Sequence, residues 1–414
     1  MVIRHSELDA FVEESDALGG PVDPRVQSLW AGFRYEPAIQ VGAASPDSAE
    51  YFAQMMKLYE EISGRTLDQK TTEMTRLDVD WLVGKESPLA GVMPKDRALH
   101  YLRLARAVRA ADLPKGARVL DMGCGWGMSS ELLAQLGCEV HAVDINPLFV
   151  DLVARRARRL DLKIEVEVCA FDDFRAQAGS YDAILFYECL HHAVRPLELL
   201  SRLSGYLKPA GKLLLAGEPI QADYWPAWGL RLDALSVYCI RKFGWFESGW
   251  SQPYLMSLIA RSNLLPKVLQ DPDPAIGRYV VASKNWRMTA DDMELNGRSD
   301  WWAEGEYLIS NRAGRESVLE LYRPQDAAIA VLEMCNFGVN DIPVQIEMGG
   351  TASEVVLAPG ENIVRLELPM EEHFFQCNFS ATAWCPAIVL GTGDVRNLGF
   401  HLRQITFERQ QPDA

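Results

Sequence analysis

Three glycines and two acidic residues form the strongest chemical pattern in the chain. Asp121 is followed by Gly123, Gly125 and Gly127, and Asp144 ends the next apolar segment. Glycine lets a backbone turn sharply and approach a ligand closely, while a carboxylate can accept hydrogen bonds from both hydroxyls of a ribose. The spacing therefore predicts a nucleoside site in which Asp144 binds the ribose.

A dinucleotide is not the expected ligand. The dinucleotide fingerprint G-x-G-x-x-G requires a glycine at position 128, where this chain has Met128. A pyrophosphate is therefore poorly accommodated at this turn. This disfavours a nicotinamide oxidoreductase.

A second group of polar residues follows two later apolar segments. Glu188, His191 and His192 come directly after YDAILFY, and Glu218 comes directly after KLLLAG. Histidine can take up a proton near neutral pH, and a nearby carboxylate can orient its ring. We expect His191 or His192 to act as a general base beside Glu218, with packing or helix capping as the alternative role of His192. Glu188 is expected to contact either the substrate or the cofactor loop.

Aromatic residues are concentrated between residues 221 and 250. Tyr224, Trp225 and Trp228 open this segment, and aromatic faces stack on sugar rings and on apolar ligands. We expect these three residues to line an enclosed acceptor pocket formed by an aromatic lid. The alternative is that they form the buried face of a helix.

The segments that position these residues alternate between strands and helices. Strand patterns at ARVLDM, CEVHAVD, KIEVEVCA, YDAILFY and GKLLLAGE are separated by helical ones. This alternation, with nearly continuous apolar strands, predicts a doubly wound α/β domain over residues 90–287, with a parallel sheet covered on both faces. Ligands bind outside the carboxyl ends of such strands, so the polar residues above are expected at one edge.

Different patterns precede and follow the predicted α/β domain. Residues 1–89 mix helical patterns with Pro and Gly breaks, which predicts an N-terminal helical arm or cap. Beyond residue 288, Val344, Ile346 and Met348 alternate with polar residues, as in half-buried strands. We therefore expect an antiparallel β-sandwich over residues 288–414, serving either glycan binding or assembly of a homo-oligomer.

Composition excludes several classes of function. A net charge of −16 disfavours nucleic-acid partners, and no apolar stretch approaches the ~18 residues of a membrane span. The charged start of the chain does not match a secretory signal, so a cytoplasmic location is expected. The eight cysteines form no C-x-x-C pair, and no compact cluster of histidine and acidic residues is visible in the sequence. No disulfide or metal ion is predicted.

The segment VLDMGCGWG resembles the first motif of class I S-adenosylmethionine-dependent methyltransferases, an acidic residue followed by G-x-G-x-G. The resemblance implies S-adenosyl-L-methionine as the cofactor, with its amino-acid part on the glycine backbone and its adenine amino group on Asp172. A slip of one residue would give the adenine role to Asp173. The cofactor-binding residues that the resemblance implies are Asp121, Gly123, Cys124, Gly125, Gly127, Asp144, Ile145, Phe171, Asp172 and Tyr187.

Two weaker resemblances concern the methyl acceptor. The string LHH, followed by the acid Glu218, resembles small-molecule and sugar O-methyltransferases of the same class. The tail GTGDVRNLGFHLRQITF resembles a β-sandwich ending, D-x-R-x-L-G, of bacterial surface-polysaccharide biosynthesis proteins. Together they imply in-line methyl transfer to a hydroxyl of a sugar or glycoconjugate. A secondary-metabolite methyltransferase with an N, C or aromatic O acceptor and a non-catalytic glycan-binding or scaffold protein are the alternatives.

Overall fold

The computed structural model describes residues 1–41, 44–220, 225–293, 301–310, 317–381, 386–394 and 398–409. Over these ranges an N-terminal group of short helices precedes a mixed central sheet, and antiparallel sheets follow it. Within the same ranges, no helix combines the length and the apolar character that crossing a membrane requires.

The N-terminal elements are short and mostly helical. In chain order they are β1 (Val2–Arg4), α1 (Leu8–Ala17), α2 (Pro24–Leu29), β2 (Arg34–Glu36), α3 (Ala49–Ser63), α4 (Gln69–Thr72) and α5 (Val79–Val83). The helix α3 begins where the Ser48 side chain accepts a hydrogen bond from the Tyr51 N–H, and it ends at Gly64, whose φ is 70°. Serine before the first turn and a left-handed glycine after the last are the residues that favour these two ends.

The central elements alternate as the sequence predicts. They are α6 (Pro94–Ala111), β3 (Arg118–Met122), α7 (Met128–Gln135), β4 (Glu139–Asp144), α8 (Pro147–Leu160), β5 (Ile164–Val168), β6 (Tyr181–Tyr187), α9 (Pro196–Tyr206), β7 (Leu207–Ala216), β8 (Trp228–Leu230), α10 (Ala234–Phe243), β9 (Ser248–Trp250), α11 (Gln252–Arg261), β10 (Leu265–Gln270) and β11 (Arg278–Ser283).

The central sheet has the strand order β10-β11-β7-β6-β3-β4-β5. The strands from β3 to β7 pair in parallel, whereas β11 and β10 are antiparallel additions at one edge. The chain runs outward from β3 to β5 and then returns to β6 on the other side of β3. The strand order thus reverses between β3 and β6, and ligands of open α/β sheets bind at such a point. The predicted doubly wound fold class is confirmed.

The N-terminal helices share a hydrophobic core with the central sheet. Buried residues of α1 and α3, such as Leu8 and Met55, belong to the same cluster as Leu120 of β3 and Phe186 of β6. The Tyr51 hydroxyl also donates a hydrogen bond to the Trp228 carbonyl at 2.5 Å. The aromatic segment after β7 therefore packs against α3.

The segment from α4 to α6 passes over the carboxyl ends of the central strands. The Gln69 side chain donates a hydrogen bond to the His192 carbonyl at 2.7 Å, and the Asn146 side chain donates one to the Thr75 carbonyl at 2.8 Å. The predicted helical arm thus reaches the edge where the chemical residues lie.

The C-terminal elements are almost entirely strands. They are β12 (Arg287–Thr289), β13 (Trp301–Glu304), β14 (Tyr307–Ser310), β15 (Ser317–Tyr322), β16 (Ala327–Asn336), β17 (Ile342–Met348), β18 (Thr351–Leu357), β19 (Gly360–Glu367), β20 (Phe374–Ala381), α12 (Pro386–Val389) and β21 (His401–Arg409).

The C-terminal strands form two antiparallel sheets. One has the order β13-β14-β21-β16-β19, and the other has the order β15-β20-β17-β18. Strand β17 alternates buried and exposed residues along its whole length, as its sequence predicts. Phe379 of one sheet lies 5.7 Å from Trp301 of the other, measured between ring centroids, and both belong to one buried cluster.

Candidate functional site

A cavity of about 490 Å³ lies at the carboxyl ends of the central strands. Its walls include Gly123 and Gly125 after β3, Asp144 at the end of β4 and Tyr187 at the end of β6. These strands flank the reversal of strand order, and cavities of roughly 300–1,000 Å³ are usual for small ligands. The structure brings most of the predicted cofactor residues together here.

The glycine loop presents backbone rather than side chains to the cavity. Gly123 has a φ of 69°, and a Cβ at that position would lie 2.9 Å from the Cys189 sulfur. Gly125 has a φ of 47°, and a Cβ there would meet no atom of the described residues within 4 Å. Gly125 lines the cavity, so a side chain at this position would fill space that a ligand needs.

The third glycine of the motif serves packing. Gly127 does not line the cavity, and a Cβ on it would lie 2.6 Å from a methyl group of Val153 on α8. Its φ of 83° also starts α7 in a left-handed conformation. This position is explained by the close packing of the α7 start against α8, and a contact of Gly127 with the cofactor stays a prediction.

Asp144 is oriented by two backbone donors. Its carboxylate accepts hydrogen bonds from the Gly125 N–H at 2.9 Å and from the Asn146 N–H at 2.8 Å. Burial raises the pKa of the Asp144 carboxyl, and these two donors offset part of the rise. An ionised carboxylate has about four acceptor positions, so two stay available for a pair of hydroxyls.

The acid that opens the motif lies beneath the loop instead of in the cavity wall. Asp121 is fully buried and accepts hydrogen bonds from the hydroxyls of Ser129 and Ser130, at 2.7 and 2.5 Å. Burial raises the pKa of Asp121 to about 6. In the structure this carboxylate holds the first turn of α7, and its contact with the cofactor stays a prediction.

The two acidic residues after β5 that are candidates for the adenine contact lie in different surroundings. Asp172 lines the cavity together with Phe171 and Ile145. Asp173 is exposed and forms an ion pair with Lys70 at 2.8 Å, which holds the pKa of the Asp173 carboxyl below its ordinary value. Of the two alternatives, Asp172 is the one that lines the cavity, and its contact with the adenine stays a prediction.

Four side chains form a polar network at the end of β6. The Tyr187 hydroxyl is 2.8 Å from the His100 Nδ1, and Glu188 pairs with Arg103 at 2.9 Å. Glu188 has a positive φ of 52°, which is uncommon for a residue with a side chain. Sequence reasoning does not find His100 or Arg103, because α6 reads as an ordinary amphipathic helix.

His192 lines the same cavity as Asp144. Its Nδ1 is 3.7 Å from the Glu73 carboxylate, and both residues line the cavity with Trp245. Although burial lowers the pKa of His192, the carboxylates of Glu73 and Glu247 raise it to about 9. Glu73 and Trp245 are missing from the sequence-based prediction, because neither belongs to a recognisable motif.

His191 and Glu218 lie behind this wall. The His191 Nδ1 is 3.0 Å from Glu218, whose carboxylate also accepts hydrogen bonds from the N–H groups of Cys189 and Leu190 at 2.9 Å each. Burial raises the pKa of Glu218, but His191 and these donors hold it below its ordinary value. Neither residue is part of the cavity lining, and Glu218 anchors the turn that carries the histidines. Their catalytic role stays a prediction.

The aromatic segment is mainly a packing element. Trp228 is buried against Tyr51 of α3, with ring centroids 5.4 Å apart, and the Trp225 indole N–H donates to the Leu230 carbonyl. Neither tryptophan lines the cavity, and neither lies on a helix, since Trp228 begins β8 and Trp225 precedes it. Their predicted contact with the acceptor stays a prediction. The third predicted residue, Tyr224, lies outside the described residues.

Comparison with known proteins agrees with this geometry. Residues 119–211 match a protein-family model described as "Methyltransferase domain". The ubiquinone biosynthesis O-methyltransferase of Xanthomonas axonopodis pv. citri (strain 306) is 38% identical over 123 residues, covering 29% of this chain and 52% of that protein. The corresponding protein of Xanthomonas euvesicatoria pv. vesicatoria (strain 85-10) is 36% identical over 120 residues, covering 29% and 50%. The chain thus spans about half the length of the curated relatives it matches.

A solved structure of a SAM-dependent methyltransferase from Aquifex aeolicus is also similar, with 17% identity and a TM-score of 0.37. The similarity covers 50% of this chain and 99% of that one. The match over residues 119–211 supports the predicted methyltransferase domain, and S-adenosylmethionine is the cofactor expected from that resemblance.

The cavity residues fit this cofactor. Gly125 leaves space beside the backbone, Asp144 retains two acceptor positions, and Asp172 adds a carboxylate to the cavity lining. An S-adenosyl nucleoside requires these three features of its site.

Proposed function

We propose that the chain is an S-adenosylmethionine-dependent O-methyltransferase. The observation that supports it best is that Gly125, Asp144, His192 and Glu73 all line one cavity. A nucleoside site alone would suit a binding protein. The pair His192 and Glu73 in the same cavity supplies a hydrogen-bond donor and a proton acceptor for a hydroxyl substrate.

The cofactor half of the proposed site is formed by the loop after β3 and the ends of β4 and β5. The Gly123 and Gly125 backbone gives room for the amino-acid part, Asp144 holds the ribose, and Asp172 binds the adenine. When bound, S-adenosylmethionine supplies an electrophilic methyl group on a sulfonium. The work left to the chain is to align a hydroxyl with that methyl and to remove the hydroxyl proton.

In our proposal Glu73 and His192 have different roles towards the acceptor hydroxyl. A histidine whose pKa is about 9 carries a proton near neutral pH, so His192 donates a hydrogen bond to the acceptor and does not remove its proton. The Glu73 carboxylate, 3.7 Å away and on the same wall, takes the proton. This replaces the histidine base expected from the sequence, because the surrounding carboxylates favour the imidazolium.

A hydroxyl of a sugar or glycoconjugate is the first candidate acceptor. Trp245 offers an aromatic face, and Gln69, Glu73 and His192 offer polar groups on the same wall. An aromatic hydroxyl is the second candidate, because the curated relatives are ubiquinone biosynthesis O-methyltransferases. The match covers about half of those proteins, so their acceptor is not carried over as a whole.

A methyl-transfer assay tests the proposed activity. The full chain is incubated with S-adenosylmethionine and separate sets of nucleotide sugars, free sugars and catechols, and S-adenosylhomocysteine formation is followed with mass analysis of the acceptor. We expect acceptor-dependent S-adenosylhomocysteine and a gain of one methyl group in one set. Product formation only in the catechol set would move the assignment to the second candidate. A methylated nitrogen or carbon would contradict O-methyl transfer.

We also propose the domain limits 1–89, 90–287 and 288–414. The C-terminal sheets have a hydrophobic cluster of their own, which supports the last boundary. The N-terminal helices share their core with the central sheet, so the first boundary separates segments of one folded unit. Assembly through the C-terminal sheets stays a prediction, and light scattering of the full chain measures it.

A further inference from the structure

We propose that His191, His192 and Glu247 form a binding site for a divalent transition-metal ion behind the acceptor wall of the cavity. One ligand atom from each residue lies within 4.8 Å of the other two. Two imidazoles and one carboxylate are a common ligand set for zinc and related ions. The proposal that this site binds a metal ion does not depend on the proposed methyltransferase activity. The catalytic role described below does rest on that activity.

The first argument comes from the orientation of His191. Its Nδ1 lies 3.0 Å from the Glu218 carboxylate, which only accepts hydrogen bonds, so Nδ1 carries the proton. In the neutral ring, Nε2 then presents a lone pair towards Glu247, whose oxygen is 3.6 Å away. That distance is too long for a hydrogen bond. It suits two ligands that each lie about 2.0–2.2 Å from one ion.

The second argument is charge. The side chains of Glu73, Glu218 and Glu247 are all nearly buried around the two histidines. Arg231 faces Glu247 at 3.7 Å and supplies one positive charge. Buried carboxylates need compensation by paired charges or by metal coordination. A divalent ion would balance the remaining negative charge.

The third argument is the support around the ligands. Glu218 accepts the His191 N–H, which is the carboxylate–histidine arrangement that orients metal ligands in proteins. The Ser248 hydroxyl donates to the His191 carbonyl at 2.6 Å and fixes the backbone next to Glu247. Both ligating segments are therefore held before any ion binds.

A bound ion would act on the acceptor through the shared wall. His192 lines the cavity, so an ion on this residue lies beside the acceptor side of the cavity and can lower the pKa of the acceptor hydroxyl. The O–H bond breaks and its proton goes to Glu73. The oxygen bonds to the methyl carbon as the carbon–sulfur bond breaks, and that electron pair stays on sulfur. The products are a methyl ether and S-adenosylhomocysteine.

The experiment measures metal uptake by the full chain. The protein is dialysed against a chelator and titrated with Co²⁺, whose visible absorption reports coordination, and Zn²⁺ is then added as a competitor. We expect one saturable site from which Zn²⁺ displaces Co²⁺. Glu247→Gln and His192→Ala should each weaken Co²⁺ binding by roughly tenfold or more, since each removes a ligand.

Controls separate this site from surface binding and from misfolding. Glu198→Gln makes the same change at an exposed position of α9 and should bind Co²⁺ as the wild type does. Circular dichroism confirms that each variant is folded. Absence of saturable uptake, or uptake that Glu247→Gln and His192→Ala leave unchanged, would overturn the inference. The methyl-transfer assay on the same preparations shows separately whether the proposed function holds.

Discussion

Turnover should fall by roughly 10²–10⁴-fold in the variant Glu73→Gln, the usual range for loss of a general base. Glu73 lines the acceptor side of the cavity and is the carboxylate next to His192. Glutamine keeps an oxygen that can accept the hydrogen bond from the Phe246 N–H, so the local fold is preserved. The affinity for S-adenosylhomocysteine should change far less than turnover, because Glu73 is not among the residues proposed to contact the cofactor.

Asp80→Asn is the matched control for Glu73→Gln. Asp80 lies on α5 in the same covering segment, and its carboxylate pairs with Arg155 outside the cavity. It should retain turnover close to the wild type. Comparable turnover in Glu73→Gln and in the wild type, in a folded protein, would remove Glu73 from the chemistry.

Cofactor binding should be lost in Gly125→Val. The valine side chain would occupy the open space beside the loop, and a β-branched residue also resists the φ of 47° at this position. We expect the affinity for S-adenosylhomocysteine to fall by more than about 100-fold, or ~2.7 kcal/mol, measured by calorimetric titration.

Gly179→Val separates loss of the site from backbone strain. Gly179 also has a positive φ, 68°, and open space around its Cβ position, but it is remote from the cavity. This variant should suffer similar strain and bind normally. If Gly125→Val binds as well as Gly179→Val does, the cofactor must lie elsewhere.

The cofactor half of the site is predictable because its signals are local. Gly123, Gly125 and Asp144 lie at the ends of strands β3 and β4, whose apolar runs are visible in the sequence. A turn directly after such a strand lies at the carboxyl edge of the parallel sheet, where ligands bind. The location of these three residues can therefore be predicted from the sequence pattern. The inward location of Asp121 is not predictable in this way, because it depends on hydroxyls of the following helix.

The acceptor half is not predictable because it is assembled from distant segments. Glu73 comes from the N-terminal arm, and Trp245 and Glu247 come from the segment after α10. No periodicity or motif links these positions to His192. Only the packing of the arm and of the aromatic segment over the strand ends brings them together.

The strand β10 shows that a strand at the edge of a sheet can lack a recognisable strand pattern in the sequence. The strand β10 contains Pro266 and directly follows the helical run of α11, so its sequence does not indicate a strand. Proline lacks a backbone donor and is tolerated where one side of a strand is unpaired. In the central sheet β10 is an edge strand that pairs only with β11. The interior strands β17 and β20, in contrast, alternate clearly in burial.

Calorimetric titration of the full chain with S-adenosylhomocysteine tests the central claim most directly, with Asp144→Ala measured alongside. We predict one saturable site in the wild type and a loss of roughly 1.5–3 kcal/mol in the variant, because Asp144 provides the charge-assisted hydrogen bonds to the ribose. Circular dichroism establishes that the variant is folded. Absence of binding by the wild type, or equal affinity in folded Asp144→Ala, would contradict the assignment of the cavity as an S-adenosyl nucleoside site.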